Sequence, residues 1–179
     1  MRWVIIIEIW YYPMPDWARR LSMVFLAGAV MLAAAGGQAG EDDEQRFAEG
    51  LEAYDAGDFE TAIEAWRPLA EAGDLEAQVS LAEFYLNGLG VAADPAAAVA
   101  WYRRAAEAGD PVAQLNLGDF YARGLGAASD PVEAFVWFDL AARQGKSWAA
   151  ARRDEMAPLL DPAQRAEAQA RIERYRASD

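Results

Sequence analysis

The 179-residue sequence contains no cysteine and no histidine. The absence of cysteine excludes disulfides and thiol nucleophiles, although disulfides stabilise many exported proteins. The absence of histidine excludes imidazole general bases, the Ser-His-Asp triad and most zinc sites. Stability must therefore come from packing alone, and the catalytic groups that remain are mainly carboxylates.

Basic residues are also scarce, with 16 Lys and Arg against 29 Asp and Glu. Two of the acidic and three of the basic residues precede Gly40, which leaves 27 against 13 and a net charge of −14 for the rest of the chain. Nucleic acids and anionic lipid surfaces require a cationic face, so neither is expected as the main partner. The acidic run 40–44 is predicted to be a flexible, solvated terminus rather than a cation site.

The apolar runs lie near the N-terminus. Arg19 and Arg20 precede the uncharged run 21–35, and small residues follow as far as Ala39. This order predicts an export signal peptide over residues 1–39, with cleavage after Ala39. The run has 15 residues, short of the roughly 20 that a membrane-spanning helix needs, although an uncleaved membrane anchor stays an alternative.

Either alternative gives the same location, because positive residues before an apolar run stay on the cytoplasmic side of the membrane. The rest of the chain is therefore expected to be periplasmic or secreted. Residues 1–13 do not fit a signal peptide, since they form a second apolar stretch ahead of the basic pair. We therefore expect translation to start at Met14.

The most informative pattern is a repeat with a period of 36 residues. Residues 75–110 align with residues 111–146 without a gap. The identical positions include Ala77/Ala113, Gln78/Gln114, Leu81/Leu117, Phe84/Phe120, Tyr85/Tyr121, Gly88/Gly124, Gly90/Gly126, Asp94/Asp130, Pro95/Pro131, Ala98/Ala134 and Trp101/Trp137. A unit of this length cannot bury its apolar face alone, so the units must stack into an array with an extended surface.

Each unit is predicted to be two antiparallel helices. Asp74 can cap a first helix, and the Gly88-Leu89-Gly90 turn ends it. Asp94-Pro95 then opens a second helix that runs to Gly109. The copy at residues 111–146 has the same capping and turn residues, with apolar residues at helical spacing between them.

In this register both units have the same order of residues: Ala, Phe-Tyr, Gly-Leu-Gly, Asp-Pro, Trp-Tyr/Phe and Ala-Ala. This order resembles the Sel-one-like repeat, the longer-looped relative of the tetratricopeptide repeat. Two clear copies cover 72 of the 179 residues. The resemblance implies an all-α fold, an α-solenoid of antiparallel helix pairs in a right-handed superhelical array.

The flanking segments are less regular. Residues 45–74 resemble a tetratricopeptide unit in which Gly57-Asp58 forms a tight turn instead of the longer loop. Residues 147–179 begin like a first helix, but Arg153-Asp154 replace the expected Leu-Gly pair and no Gly-Leu-Gly follows. They are therefore predicted to be degenerate C-terminal capping helices.

Within this capping segment, Pro158 should end or kink the first helix. Asp161-Pro162-Ala163-Gln164 supplies an N-cap, a proline at the first helical position and a Gln three residues after the cap. This arrangement predicts the start of a last helix.

In tetratricopeptide-type arrays the first helices line the concave face, and the resemblance implies a protein or peptide partner there. The candidate groove residues are Phe47, Leu51, Tyr54, Asp55, Glu76, Val79, Glu83, Leu86, Asn87, Val112, Leu115, Asp119, Ala122 and Arg123. Apolar positions mixed with a few charges suit an extended or helical peptide. Val79, Leu86 and Leu115 could equally belong to the core between repeats.

The repeated aromatic residues are predicted to pack in the core rather than to form a ligand cage, because they recur at helical spacing. They are Phe84, Tyr85, Trp101, Tyr102, Phe120, Tyr121, Trp137 and Phe138.

The sequence thus favours an exported, non-enzymatic interaction adaptor or scaffold of the bacterial cell envelope, without cofactor or metal. The envelope role rests on the signal peptide and on the resemblance. One alternative is a protein associated with peptidoglycan or polysaccharide, with weak hydrolase activity through Glu83 and Asp119. Another is a membrane-tethered subunit, if the leader is retained.

Overall fold

The structure is a computed structural model that describes residues 40–178. The predicted signal peptide, its cleavage site and the predicted start at Met14 lie outside the described residues. Gln45–Asp179 forms one compact unit. The described residues contain α-helices and short turns but no strand. The helices are α1 (40–56), α2 (Phe59–Ala72), α3 (Leu75–Asn87), α4 (Pro95–Glu107), α5 (Pro111–Arg123), α6 (Pro131–Arg143), α7 (Ser147–Met156) and α8 (Pro162–Ser178).

Each of the helices α2 to α6 packs against the helix that follows it, and α8 packs against α6 rather than against α7. The odd-numbered helices α1, α3, α5 and α7 are the first helices of their pairs, and the even-numbered ones are the second helices. This neighbour-to-neighbour packing confirms the all-α solenoid.

The helix ends lie where the capping residues predict them. The Asp74 and Asp110 carboxylates accept hydrogen bonds from the backbone N–H of the residue three positions on, at 2.7 and 2.6 Å. The Asp94 carboxylate accepts two backbone bonds at the start of α4. Gly88 ends α3 with a φ of 68°, and its repeat equivalent ends α5 in the same way. Side chains of this kind satisfy backbone groups that a helix end leaves unpaired.

The repeated aromatic residues are packing residues, as predicted. Six of the eight are buried, and Tyr85 and Trp101 are half-buried against the core. The buried six are Phe84, Tyr102, Phe120, Tyr121, Trp137 and Phe138. Five of them lie in one apolar cluster together with small residues such as Ala98 and Ala134, and Phe84 lies in a second cluster nearer the N-terminus.

The acidic residues 40–44 form the start of α1, and all five are exposed to solvent. Residues 41–49 contain neither glycine nor proline, and their Glu, Gln, Arg and Ala residues have good helix propensity. The flexibility of residues 40–44 stays a prediction.

The capping segment also matches its prediction. Helix α7 ends before Pro158, which lies in a 3-10 turn over Ala157–Leu159. The Asp161 carboxylate accepts a bond from the Gln164 backbone N–H at 2.8 Å, and the Gln164 side chain accepts one from the Asp161 N–H at 2.9 Å. This reciprocal capping box starts α8.

Candidate functional site

The exposed large hydrophobic residues of the described chain occur in the first helices of the pairs and in the turn after the last of them. They lie on α1, α5 and α7 or in the turn after α7, and none lies on a second helix. They are Leu51 (47% exposed), Tyr54 (43%), Val112 (38%), Trp148 (78%) and Leu159 (60%). We call the exposed sides of the first helices, with that turn, the first-helix face. Exposed apolar residues concentrated on one side of a protein mark a binding surface.

None of the fourteen candidate groove residues is buried. The exposed ones are Leu51, Tyr54, Asp55, Glu76, Glu83, Asn87, Val112 and Arg123. The half-buried ones are Phe47, Val79, Leu86, Leu115, Asp119 and Ala122. Val79, Leu86 and Leu115, for which a core role was the alternative, pack against the core and still keep an accessible side.

Five of these candidates meet in a cavity of about 170 Å³ between α1, α2 and α3. They are Phe47, Leu51, Tyr54, Glu76 and Glu83. Three further residues, Trp66, Ser80 and Phe84, complete its lining. We call this space the α1–α3 cavity.

Stacked rings form the wall of this cavity. The Trp66 and Phe84 rings are stacked with their centroids 5.6 Å apart, and Tyr54 lies 5.9 Å from Phe84. Phe47 also stacks on Trp66, with the ring centroids 5.6 Å apart. Since Trp66 and Phe84 are buried while Phe47 and Tyr54 are partly accessible, the inner rings hold the outer ones in place.

Helix α1 is held close to this aromatic wall. The Trp66 indole Nε1 donates a hydrogen bond to the Phe47 carbonyl at 3.1 Å. Gly50 is buried against the same indole, and a Cβ at this position would lie 2.2 Å from Nε1. The missing side chain at position 50 therefore permits the contact that places α1 against α2.

The charge on the cavity rim is negative. Glu76 and Glu83 are exposed and form no ion pair with any residue between 40 and 178. Helix α3 contains no basic residue. Burial raises the pKa of the neighbouring Tyr102 phenol, and the charge of Glu83 raises it further. Asn87 donates to the Glu83 carbonyl at 2.9 Å, so its amide caps α3.

The corresponding charge on α5 is neutralised within the molecule. Asp119 forms ion pairs with Arg152 of α7 at 2.7 Å and with Arg123 at 3.4 Å. The hydrogen bond and charge of Asp119 raise the pKa of Arg152, whose guanidinium also lies over the Phe138 ring. Asp119 is not in the cavity that contains Glu83, so the two carboxylates do not form a joint site there.

Two residues of the first-helix face were not predicted. Trp148 lies 36 positions after Val112, and Leu159 lies 36 positions after Arg123. The repeat register itself could have identified both. The missing glycines predict a degenerate capping unit, yet this unit continues the exposed positions of the earlier units.

A second cavity of about 580 Å³ lies beside the second helices α6 and α8. Its lining among the described residues is Glu133, Arg171, Arg174 and Tyr175. Glu133 forms an ion pair with Arg171.

No group of three or more acidic side chains within residues 40–178 could hold a metal ion. No helix within these residues has both the length and the apolar character needed to cross a bilayer.

Comparison with known proteins matches these features to a family. The Sel1 repeat model matches residues 75–110 and 111–146, the same bounds as the internal repeat. A solved structure of a Sel1 repeat protein from Oxalobacter formigenes is 36% identical with a TM-score of 0.59, over 71% of this chain and 98% of that one. No curated protein matches the chain.

Another similar structure is a protective antigen present in uropathogenic Escherichia coli strains, which displays an SLR fold. It is 30% identical with a TM-score of 0.67 over 74% of this chain. The present chain spans only 29% of that protein. From its internal repeat, its stacked helix pairs and these two neighbours, the chain belongs to the Sel1 repeat family, a relative of the tetratricopeptide repeats.

Proposed function

We propose that this protein is a non-enzymatic adaptor of the bacterial cell envelope that binds a protein or peptide partner through its first-helix face. Sel1 repeat proteins generally mediate protein-protein interactions. The observation that carries the proposal is the location of the exposed large hydrophobic residues, all of which lie on this face within residues 40–178. Such residues supply contact area to a partner that covers them.

The size of the α1–α3 cavity supports a macromolecular partner. Its volume of about 170 Å³ is below the roughly 300–1,000 Å³ of typical small-molecule sites. It suits one inserted side chain of a longer segment, while Val112 and Trp148 offer further apolar contacts along the same face.

The envelope location is supported by the sequence. Residues 14–39 read as a complete export signal, with a basic pair, an apolar run and small residues before Ala39. The acidic composition argues against nucleic acid as a partner. Contact with the membrane would come only through the leader, if it is not cleaved.

The hydrolase alternative has weaker support. A glycosidase pair needs two carboxylates flanking the bond that is cleaved. Glu83 lines the α1–α3 cavity, whereas Asp119 lies outside it and is bonded to Arg152 and Arg123. The repeat fold is also typically non-catalytic.

Capture of partners from an envelope extract tests the proposal. The tagged full chain is compared with a Leu51→Ser, Trp148→Ser variant, in which two exposed apolar residues become polar. A matched control, Glu64→Ser with Glu107→Ser, changes two exposed residues of second helices. Retained proteins are identified by mass spectrometry.

We expect a protein that the wild type and the control retain, and whose yield falls at least tenfold with the first-helix variant. A partner retained equally by all three would place binding elsewhere on the molecule. Recovery of glycan fragments without any protein would favour the cell-wall alternative.

A further inference from the structure

We propose that the α1–α3 cavity binds the cationic side chain of a lysine or arginine in a partner segment whose neighbouring residues are apolar. The inference rests on the proposed function, since it assigns partner chemistry to the same face. It follows from the rings that line the cavity and from two carboxylates, Glu76 and Glu83, that form no ion pair within the described part of the chain.

The aromatic wall fits a cation. A Lys or Arg side chain over the face of an aromatic ring is attracted by the negative charge of that face, within about 6 Å of the ring centre. Phe47 and Tyr54 contribute partly accessible rings to the lining of the cavity, and Trp66 and Phe84 support them from behind. An alkyl stem could pack against Leu51 while its charged end stays near the rim.

The repeat register explains why the rim charge is available. On α5, Asp119 is neutralised by Arg152, which lies on the first helix of the following unit. Glu83 lies 36 residues before Asp119, and the residue 36 positions before Arg152 is Asn116. Asn116 has no charge, and its amide faces the Tyr102 phenol. The arginine that neutralises the later carboxylate is therefore missing for the earlier one.

Within residues 40–178, no other Lys or Arg forms an ion pair with Glu76 or Glu83. Arg67 of α2 donates its Nη2 to the Tyr85 hydroxyl at 3.1 Å. Glu76 lies two turns before Glu83 on α3, which places both carboxylates on one side of that helix, and both line the cavity. A cation from a partner would neutralise Glu83 in the way that Arg152 neutralises Asp119 on α5.

Selection from a displayed library of random peptides tests the inference. The full chain is compared with a Glu76→Gln, Glu83→Gln variant, which removes both rim charges and keeps side-chain size. The matched control, Glu64→Gln with Glu107→Gln, removes the same charge from exposed positions on second helices. All three proteins are selected against the same library at low salt.

We expect the wild type and the control to enrich peptides with Lys or Arg at one position beside apolar residues. The rim variant should enrich apolar peptides without this basic preference. If the wild type enriches peptides with no basic preference, the cation inference fails while the proposed function stands. If no peptide is enriched, both fail.

A second measurement isolates the charge. Calorimetry compares an enriched peptide with the same peptide carrying norleucine for lysine, or citrulline for arginine. On the wild type, the uncharged peptide should bind roughly tenfold more weakly, in the range of a partly desolvated cation–π contact. The two peptides should bind the rim variant about equally. Equal binding to the wild type would overturn the inference.

Discussion

At the scale of single residues, one repeated glutamine differs between the two central units. Gln114 donates its Nε2 to the Ala106 carbonyl at 3.2 Å and accepts a bond from Gln144 at 3.0 Å through its Oε1. Gln78 makes the equivalent donation to the Ala70 carbonyl at 2.9 Å. Its Oε1, however, is buried without a hydrogen-bond partner among the described residues.

The repeat register identifies the missing donor. Ala108 occupies the position 36 residues before Gln144. We predict that Ala108→Gln supplies the donor to Gln78 and raises the free energy of unfolding by about 1 kcal/mol. Chemical denaturation measures the change. Ala108→Glu is the matched control, since a carboxylate cannot donate, and a gain of equal size there would contradict the explanation.

A buried phenol predicts the response to alkaline pH. Burial, with the charge of Glu83, raises the pKa of Tyr102 above its ordinary value of 10.0. Below pH 10 the phenol is neutral in the folded and the unfolded chain, so its contribution to stability is complete. Above pH 10 the unfolded chain ionises first, and stability falls as the pH rises. Denaturation between pH 9 and 11 should show a shallower fall for Tyr102→Phe than for wild type, and parallel curves would contradict this.

At the scale of helices and turns, the second glycine of each Gly-Leu-Gly turn forms a contact between repeats. A Cβ at Gly126 would lie 2.2 Å from the Pro95 carbonyl oxygen, at the start of the preceding second helix. A Cβ at Gly90 would lie 2.6 Å from the backbone of Phe59 at the start of α2. These glycines allow the turn of one unit to touch the helix start of the unit before it.

We predict that Gly126→Ala is much more destabilising than Gly109→Ala. Both glycines have positive φ, 66° and 93°, and alanine is strained in that region. A Cβ at Gly109 meets nothing within 4 Å, so only Gly126→Ala must also displace backbone. The extra loss should be about 1–3 kcal/mol, measured by denaturation of both variants. Equal losses would show that the close contact is unimportant.

The helices were largely predictable from sequence, but the ion pairs between side chains of different helices were not. Asp, Pro and Gly residues fix local helix ends, so the bounds followed from the repeated capping pattern. Arg153, in contrast, only appeared as a departure from the leucine of the earlier units. The structure pairs it at 3.2 Å with buried Asp139, which also accepts from Arg143 at 2.5 Å. Such a pairing depends on how two helices stack, and the residue pattern of a single helix does not specify that.

At the scale of the whole molecule, the ion pair between Arg153 and Asp139 limits which repeats can be neighbours. Position 139 corresponds to Arg103 one repeat earlier. Deletion of residues 111–146 would bring α7 against α4 and place Arg153 opposite Arg103. Two like charges at close range repel each other, so this arrangement would be destabilising.

We therefore predict that the deletion variant loses cooperative thermal unfolding, as followed by circular dichroism. The same deletion with Arg103→Asp restores the opposite charge and should recover part of the transition. A cooperative melt of the simple deletion would contradict this account of the stacking.

The candidate site was predicted in part. The repeat register placed first-helix residues together on one face, and five of them line the α1–α3 cavity. It did not predict that Trp66 of a second helix forms the back wall, because that depends on the close approach of α1 at Gly50. It also did not predict that Asp119 would be neutralised by Arg152.

The measurement that tests the central claim most directly is photo-crosslinking in the native host. A photoreactive phenylalanine analogue replaces Leu51, Trp148 or, on the opposite side, Glu64 of α2. We predict covalent adducts with the same partner from positions 51 and 148 and none from position 64. Adducts from position 64 alone, or no adduct from either first-helix position, would contradict binding through the first-helix face.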